Sequence, residues 1–365
     1  MVYETFDRLE KFMTQGFIAA GVEKEEAEIC AAVLIESDKR GIDSHGVGRF
    51  KPIYIDKIND GTLNPVTKLE IVREGPTTAV VEGNNGMGHV IGVKSMEIAI
   101  KKAKELGMGM VTVRNSNHYG IAGYFVTMAA DAGMIGITGT NARPSIAPTF
   151  GVENMMGTNP LTIGLPTDED FHFVLDCATS IAQRGKVEHY ARIDQKMPEG
   201  WVIDTEGRPV TDPIWALPAF EGEKCALVTL GGIGEDMAGY KGYGYATAVE
   251  IMSAALSAGS FLKALDGFGP DGEKRPNNLG HFFIAIDINA FIEVAEFKKS
   301  TGEILKALRN SKKAPGHDRI YTAGEKEYLA YLERKETGVP INEGVQKSLQ
   351  TARDELKVNF KFSWE

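Results

Sequence analysis

Apolar residues recur at helical intervals through the first sixty positions. Leu9, Phe12 and Phe17 lie at near-helical spacing and Gly21 breaks the pattern; Ala27, Cys30, Leu34 and Ser37 form a second stripe that stops at Gly41. A third helix is expected just after Ser44-His45-Gly46, carrying Phe50, Ile53 and Ile58 and stopping at Gly61. Beyond this the period changes. Residues 77–82 (TTAVVE) read as a strand, 83–88 as a glycine-rich turn, 89–106 as an amphipathic helix with Val93, Met96, Ile100 and Ala103 on one face, and 110–113 as a short strand. Together these make a β-turn-α-β unit. Further strands are expected over 135–138, 161–165, 171–175, 226–229 and 281–286, and further helices over 119–131, 243–265 and 290–308. The Gly/Pro/Asn-rich stretch 267–280 reads as a loop. Leu356, Val358, Phe360, Phe362 and Trp364 alternate strictly, which predicts a packed strand or arm, one that a neighbouring subunit could cover.

Composition narrows the function classes. The chain has 365 residues, 43% hydrophobic and 25% charged, enough for a sizeable core and for two or three domains. Fifty acidic against forty basic residues give a net charge of −10, which argues against a nucleic-acid partner, since that binding needs clustered positive charge. Cys30, Cys177 and Cys225 are far apart and odd in number, with no ligand spacing for zinc or any other metal; they read as reduced thiols of a cytoplasmic protein. Neither a signal peptide nor a membrane span is expected: the longest apolar-leaning stretch, 243–265, carries Glu250 and Lys263.

Glycine is in excess, at 41 of 365 residues, against about 7% in average proteins. Gly86, Gly88 and Gly92 stand between a strand and a helix, as in a dinucleotide fingerprint. The acid that would end the next strand is missing, because that strand runs into Val113-Arg114-Asn115, although Arg114 is a candidate for a 2′-phosphate. The segment reads rather as a tight strand-to-helix turn in another α/β fold. A second cluster, from Gly231 to Gly244, lacks the P-loop Gly-Lys-Ser/Thr, but its Tyr240-Lys241-Gly242 opens a helix and would suit an anion.

Polar residues gather at element ends. Ser44-His45-Gly46, with Arg49 four residues beyond the histidine, lies between two helices; Asn115-Ser116-Asn117-His118-Tyr119-Gly120 follows a buried strand. Each is either an N-cap cluster or a set of functional groups aimed by a rigid scaffold. Thr138-Gly-Thr140-Asn141-Ala-Arg143, Gly157-Thr158-Asn159-Pro160 and Asp176-Cys177-Ala178-Thr179-Ser180 each flank an apolar strand, and three such runs imply a polar pocket. Arg49 and Arg143 suit bidentate grip on a carboxylate, and a histidine near neutral pKa suits proton exchange with a hydroxyl oxygen. The set favours hydride exchange on a hydroxy acid.

These motifs, with Arg40-Gly-Ile-Asp-Ser44-His45-Gly46-x-x-Arg49 first and Tyr240-Lys241-Gly242 last, stand in the order found in the type 2 malate/L-lactate dehydrogenase family, which the chain resembles from about residue 5 to 340. The resemblance implies NAD- or NADP-dependent interconversion of a 2-oxo and a 2-hydroxy acid, with malate/oxaloacetate first and lactate, sulfolactate, ureidoglycolate, diketogulonate or a cyclic imino acid as alternatives. A non-catalytic nucleotide-binding regulator is the reading from another class. The implied fold is α/β (α+β) and non-Rossmann, a large mixed, mainly antiparallel central sheet plus a helical domain, in a homodimer whose interface helps form the site. The expected division is a helical domain over 1–75, a small α/β domain over 76–120 joined by part of 310–345, a cofactor-binding sheet domain over 121–309 and an arm over 346–365. By resemblance, His118 or His45 is the acid/base, while Ser44, Arg49, Arg143 and Thr158 hold substrate. Thr140, Asn141, Asp176, Cys177, Ala178, Thr179, Tyr240, Lys241, Gly324 and Glu325 contact the cofactor. Ala323 stands where the family has proline and Cys177 where methionine is common, so local geometry departs at both places.

Overall fold

A computed structural model describes residues 1–365. Strand β1 (Val2–Glu4) leads into helices α1 (Phe6–Ala19) and α2 (Lys24–Lys39). The expected third helix is a composite: a 3₁₀ turn (Val47–Arg49), a π-helical segment (Phe50–Ile55) and a last turn α3 (Asp56–Asn59). Pro52 has no N–H to give to a regular ladder, so the turn widens there.

Strands β2 (Glu70–Glu74) and β3 (Thr78–Glu82) precede helix α4 (Gly88–Leu106), strand β4 (Met108–Ser116) and helix α5 (Ala122–Asp131). Next come β5 (Met134–Thr140), β6 (Leu161–Leu165), β7 (Phe173–Cys177) and helix α6 (Arg184–Arg192). Strand β8 (Val202–Asp204), β9 (Pro209–Val210), helix α7 (Pro213–Glu221) and β10 (Cys225–Leu227) follow. Helix α8 (Gly239–Ala254), strand β11 (Leu279–Asp287), helices α9 (Val294–Arg309) and α10 (Glu325–Thr337), strand β12 (Val339–Ile341) and helix α11 (Glu343–Glu355) complete the order.

Seven strands form the central sheet in the order β2-β3-β4-β11-β5-β6-β7. Only β3 and β4 run parallel, joined through α4; every other neighbouring pair is antiparallel. The sheet is therefore mixed and mainly antiparallel, as the resemblance implied, and not the all-parallel sheet of a Rossmann unit. Helices α4 and α5 bury Val111, Val113, Phe283 and Ala285 on one face. Helix α8 lies on the other, where Gly280 has no room for a side chain beneath the Ser253 carbonyl.

A second core of 22 buried residues joins α1, α2 and the composite helix to β12 and α11. The alternating tail proves to be an arm without strand pairing, and it is this chain's own helices that cover it. Trp364 stacks on Phe362 at 4.4 Å, Phe362 meets Phe12 at 4.9 Å and Phe12 meets Phe50 at 5.4 Å. The relay continues to Phe17 at 5.0 Å and on to Tyr54 at 6.0 Å. Alternation in the tail thus records ring packing onto α1 rather than a ladder.

Three other expectations are corrected. Helix α5 begins at Ala122 rather than 119, because Gly120 turns the chain at φ +83. Helix α8 starts at Gly239 and ends at Ala254, since Ala258 and Leu262 take left-handed conformations and only 3₁₀ turns follow. The strand expected over 226–229 is β10, edge strand of a separate three-stranded sheet, β10-β8-β9. All three cysteines are free, and no helix is long and apolar enough to cross a membrane.

Candidate active site

The site is built where β4 leaves the middle of the sheet. Its last residue, Ser116, is buried and bonds Nε2 of His281 at 2.8 Å, while Thr140 at the end of β5 bonds Nδ1 of the same ring at 2.7 Å. Burial holds His281 down at about 3, a neutral ring bracing the ends of two strands. Beyond Ser116 the chain passes through Asn117, whose amide is bonded to Asn85 and Gly86, to His118. Gly88 makes this possible: a Cβ there would lie 2.3 Å from the carbonyl oxygens of Asn117 and His118. The glycine that resembled a dinucleotide fingerprint seats the histidine loop against α4. Arg114 is committed elsewhere, with Nε donating to Glu82 at 2.7 Å and Nη1 to the Ser257 carbonyl.

His118 Nδ1 lies 2.5 Å from the hydroxyl of Tyr54, a fully buried side chain on the π-helical segment. The Gly120 amide approaches the same nitrogen at 3.3 Å. The ring of His45 stacks beside that of His118 at 5.7 Å, with its own Nδ1 bonded to Ser44 Oγ at 2.8 Å. Arg49 donates to the Ser44 carbonyl, which brings its charge to the imidazoles. Burial first, then Arg49, lowers His45 to about 4. Burial, His45, His89, Arg49 and Lys57 together hold His118 well below an ordinary histidine. Lys57 is lowered by burial, opposed by Asp60 and reinforced by Arg143, so the exposed Arg143 guanidinium belongs to the same positive neighbourhood.

A cavity of about 110 Å³ opens beside His45, lined among others by Ser44, Thr158, Asp176 and Ala178. A larger cavity of about 450 Å³ shares Ile42 and Asp176 with it and runs past Arg40 and Phe171 to Gly324. Asp176 stands where the two meet, accepting from the Gly123 amide at 2.6 Å and from Thr162 at 3.0 Å, its pKa raised by burial. Ser180 Oγ and Asn159 Oδ1 are buried without hydrogen-bond partners.

The remaining expected residues divide. Thr140 is spent on His281 and the Gly280 carbonyl, Asn141 on Gly280 and Ser260, and Thr179 on the Thr158 and Asn159 carbonyls. Glu325 is bound to Arg319 and Thr322. These four shape the site from behind. Cys177 is half-buried against the Leu161 carbonyl, and burial raises its thiol pKa. Tyr240 and Lys241 are exposed on the first turn of α8, with the ammonium 5.9 Å from the Tyr240 ring; that turn adjoins the Thr179 segment through Thr229 and Leu230. The sequence reading missed Tyr54 and Lys57. Tyr54 stands five residues after Arg49, a π-helical interval outside the helical template.

The proteins that this chain resembles are dehydrogenases. The family model described as malate/L-lactate dehydrogenase matches residues 5–350. A malate dehydrogenase of Pyrococcus horikoshii is 44% identical over 343 residues, 94% of this chain and 92% of that protein. An L-sulfolactate dehydrogenase of Methanocaldococcus jannaschii is 40% identical over 341 residues, 93% of each. The crystal structure of malate dehydrogenase from Entamoeba histolytica superposes with a TM-score of 0.94 at 44% identity, covering 99% of both chains.

Proposed function

Since the chain belongs to the malate/L-lactate dehydrogenase family and is a dehydrogenase acting on a CH–OH group, we propose that its reaction is hydride exchange between NAD and malate/oxaloacetate. The observation that carries the substrate reading is the positive charge beside two stacked imidazoles, with Arg49 and Lys57 acting on His118 and Arg143 acting on Lys57, which suits a dianionic oxo acid better than pyruvate. Sulfopyruvate has the same charge and is the second reading, supported by the sulfolactate relative.

The two cavities together fit an elongated dinucleotide, with the unpartnered Ser180 hydroxyl two residues beyond Ala178. Family members use NAD(P), which supplies or accepts the hydride when bound. Asp176, Ala178 and Gly324 would hold it, with Cys177, Thr179 and Glu325 supporting that wall and Tyr240 and Lys241 at its α8 edge. NAD is favoured over NADP because the carboxylates of the larger cavity, Glu36, Asp131, Glu169, Asp170 and Glu327, outnumber its Lys39 and Arg40, both paired with Glu36, and because Arg114 and Arg184 are also held in ion pairs.

Within this reading His118 is the acid/base and His45, with Ser44, orients the substrate. For Nε2 to take the hydroxyl proton during oxidation and return it during reduction, the neutral ring must carry its own proton on Nδ1 and donate it to the Tyr54 oxygen, against the Gly120 N–H at 3.3 Å. Such proton transfer contributes on the order of 10²–10⁴ in rate. Arg49 and Arg143 hold and polarise the acid, with Thr158 beside them. Replacing His118 and His45 each by Gln is the test: His118→Gln should lose most turnover while binding NADH normally, and a His45 variant that loses more reverses the assignment. Oxaloacetate, sulfopyruvate and pyruvate titrated side by side decide the substrate, and silence with all three alongside tight NADH binding supports a regulator instead.

The assembly proposed is a homodimer, supported by exposed Tyr245, Ile251, Leu256 and Phe261 along and beyond α8, and light scattering measures it. The free cysteines support a reducing, cytoplasmic setting. A division near residue 309 is proposed for limited proteolysis; β2 and β3 pair across residue 75, strands from either side of 120 share the central sheet, and residue 345 lies within α11.

A further inference from the structure

One buried carboxylate is left unused by this chemistry. Glu250, on the inner side of α8, is 6% exposed, and no lysine, arginine or histidine pairs with it. Its Oε2 accepts from the Asn159 side-chain amide at 2.7 Å. Its Oε1 accepts from the Leu262 backbone N–H at 2.9 Å and faces the Asn141 amide at 3.5 Å. Both asparagines are oriented by further bonds. The Gly280 N–H donates to Asn141 Oδ1 at 2.8 Å, which turns the Asn141 amide group toward Glu250 and the Ser260 carbonyl. Asn159 also donates to the Ala246 carbonyl, one turn earlier on α8, and sits in a left-handed conformation at φ +33.

The two asparagines are neighbours in sequence to substrate contacts. Asn141 ends the run from β5 and lies two residues before Arg143; Asn159 follows Thr158 directly. A single carboxylate therefore ties α8 and the turn after it to the two loops that carry Arg143 and Thr158. A carboxylate at this depth is costly unless donors satisfy it, and an apolar side chain here would leave the Asn159, Leu262 and Asn141 N–H groups without their acceptor. Those donors come from both loops and from the turn after α8, so the one carboxylate fixes their distance from one another. We propose that Glu250 is a positioning residue that sets Arg143 and Thr158 for the substrate carboxylate; the inference rests on reading those two residues as substrate contacts.

The test is a double-mutant cycle between Glu250→Gln and Arg143→Met, read as KM for oxaloacetate, kcat, and NADH affinity by fluorescence titration. Gln presents an N–H to either Asn159 or Leu262, so one donor loses its acceptor. KM should rise about tenfold, the scale of one buried bond to a charged acceptor, with kcat and NADH affinity within a factor of two or three. In the Arg143→Met background the Gln change should add little, because both act through one contact. If KM moves in Arg143→Met but not in Glu250→Gln, if the effects multiply independently, or if NADH affinity falls in parallel, the inference is overturned. If KM does not move in Arg143→Met, the assignment beneath it fails instead, and the inference with it. Should Glu250→Gln not fold, Glu250→Asp keeps the charge but falls one methylene short of Asn159 and should give the same KM-selective loss.

Discussion

Tyr54→Phe isolates the least expected part of the site. The substitution deletes one oxygen and leaves the ring, which keeps its packing against Phe17 at 6.0 Å and His89 at 4.5 Å, so no cavity of consequence forms. What is lost is the 2.5 Å contact with His118 Nδ1. The only remaining group at that nitrogen is the Gly120 N–H at 3.3 Å, which can donate but not accept. A ring facing only a donor prefers to carry its proton on Nε2, the atom that must be bare to take the substrate proton. The bias that is removed equals one buried hydrogen bond, about 1–1.5 kcal/mol, and this corresponds to roughly tenfold in rate. Stability should fall by about 1 kcal/mol on the same account. Steady-state malate oxidation followed by nicotinamide absorbance should show kcat/KM down about tenfold across the pH plateau, with NADH affinity unchanged. A Tyr54→Phe enzyme within twofold of the parent from pH 6 to 9 would refute the tautomer argument and return the acid/base role to His45.

Three further outcomes follow from the geometry. His118 is held below its ordinary pKa partly by the Lys57 charge, so Lys57→Met should move the acid limb of kcat/KM for malate oxidation to higher pH, and an unmoved limb would break the electrostatic link. Gly88→Ala places a methyl against the backbone oxygens of Asn117 and His118, and should cost about 1–3 kcal/mol in thermal unfolding along with most of kcat, whereas full activity would show the loop to be free to yield. His89 is fully buried, has no hydrogen-bond partner, and is lowered by burial to about 3. The folded state therefore binds fewer protons than the unfolded chain between about pH 6.5 and 3, and His89 withdraws stability as pH falls through that window and none above it. In His89→Phe the drop in urea midpoint between pH 7 and 4.5 should be smaller than in the parent; an equal drop would place the acid lability elsewhere, with His281 the next suspect.

Periodicity revealed most of the helices and strands because local pattern and tertiary role coincide there: the α4 stripe and the β6 run point where the core lies. It failed where long-range packing writes the pattern. The tail alternates like a strand because every second ring meets α1, and the composite helix hides Tyr54 because a π-turn has no place in a 3.6-residue template. The glycine run was legible as a strand-to-helix turn, but the reason Gly88 must be glycine was not, since it lies with Asn117 and His118, thirty residues away in sequence. The polar runs at element ends were informative: Ser44, His45, Thr158, Asp176 and Ala178 line one cavity. Residues such as Thr140, Asn141 and Glu325 stand in the same motifs, yet their side chains serve neighbours rather than the cavity. Spacing cannot tell these apart, because both need a short polar side chain at a strand or helix end.

The ring relay from Trp364 through Phe362, Phe12, Phe50 and Phe17 to Tyr54 ends on His118. The arm and the histidine proposed as acid/base are thus far apart in sequence and nearly contiguous in packing. Loosening the arm removes the backing of the π-helical segment and, with it, the aim of the imidazole. Heat inactivation and release of the arm should then be one event on one temperature axis, so that, once Trp201 and Trp215 are replaced, tryptophan emission from residue 364 reports the survival of a reaction centre it never touches.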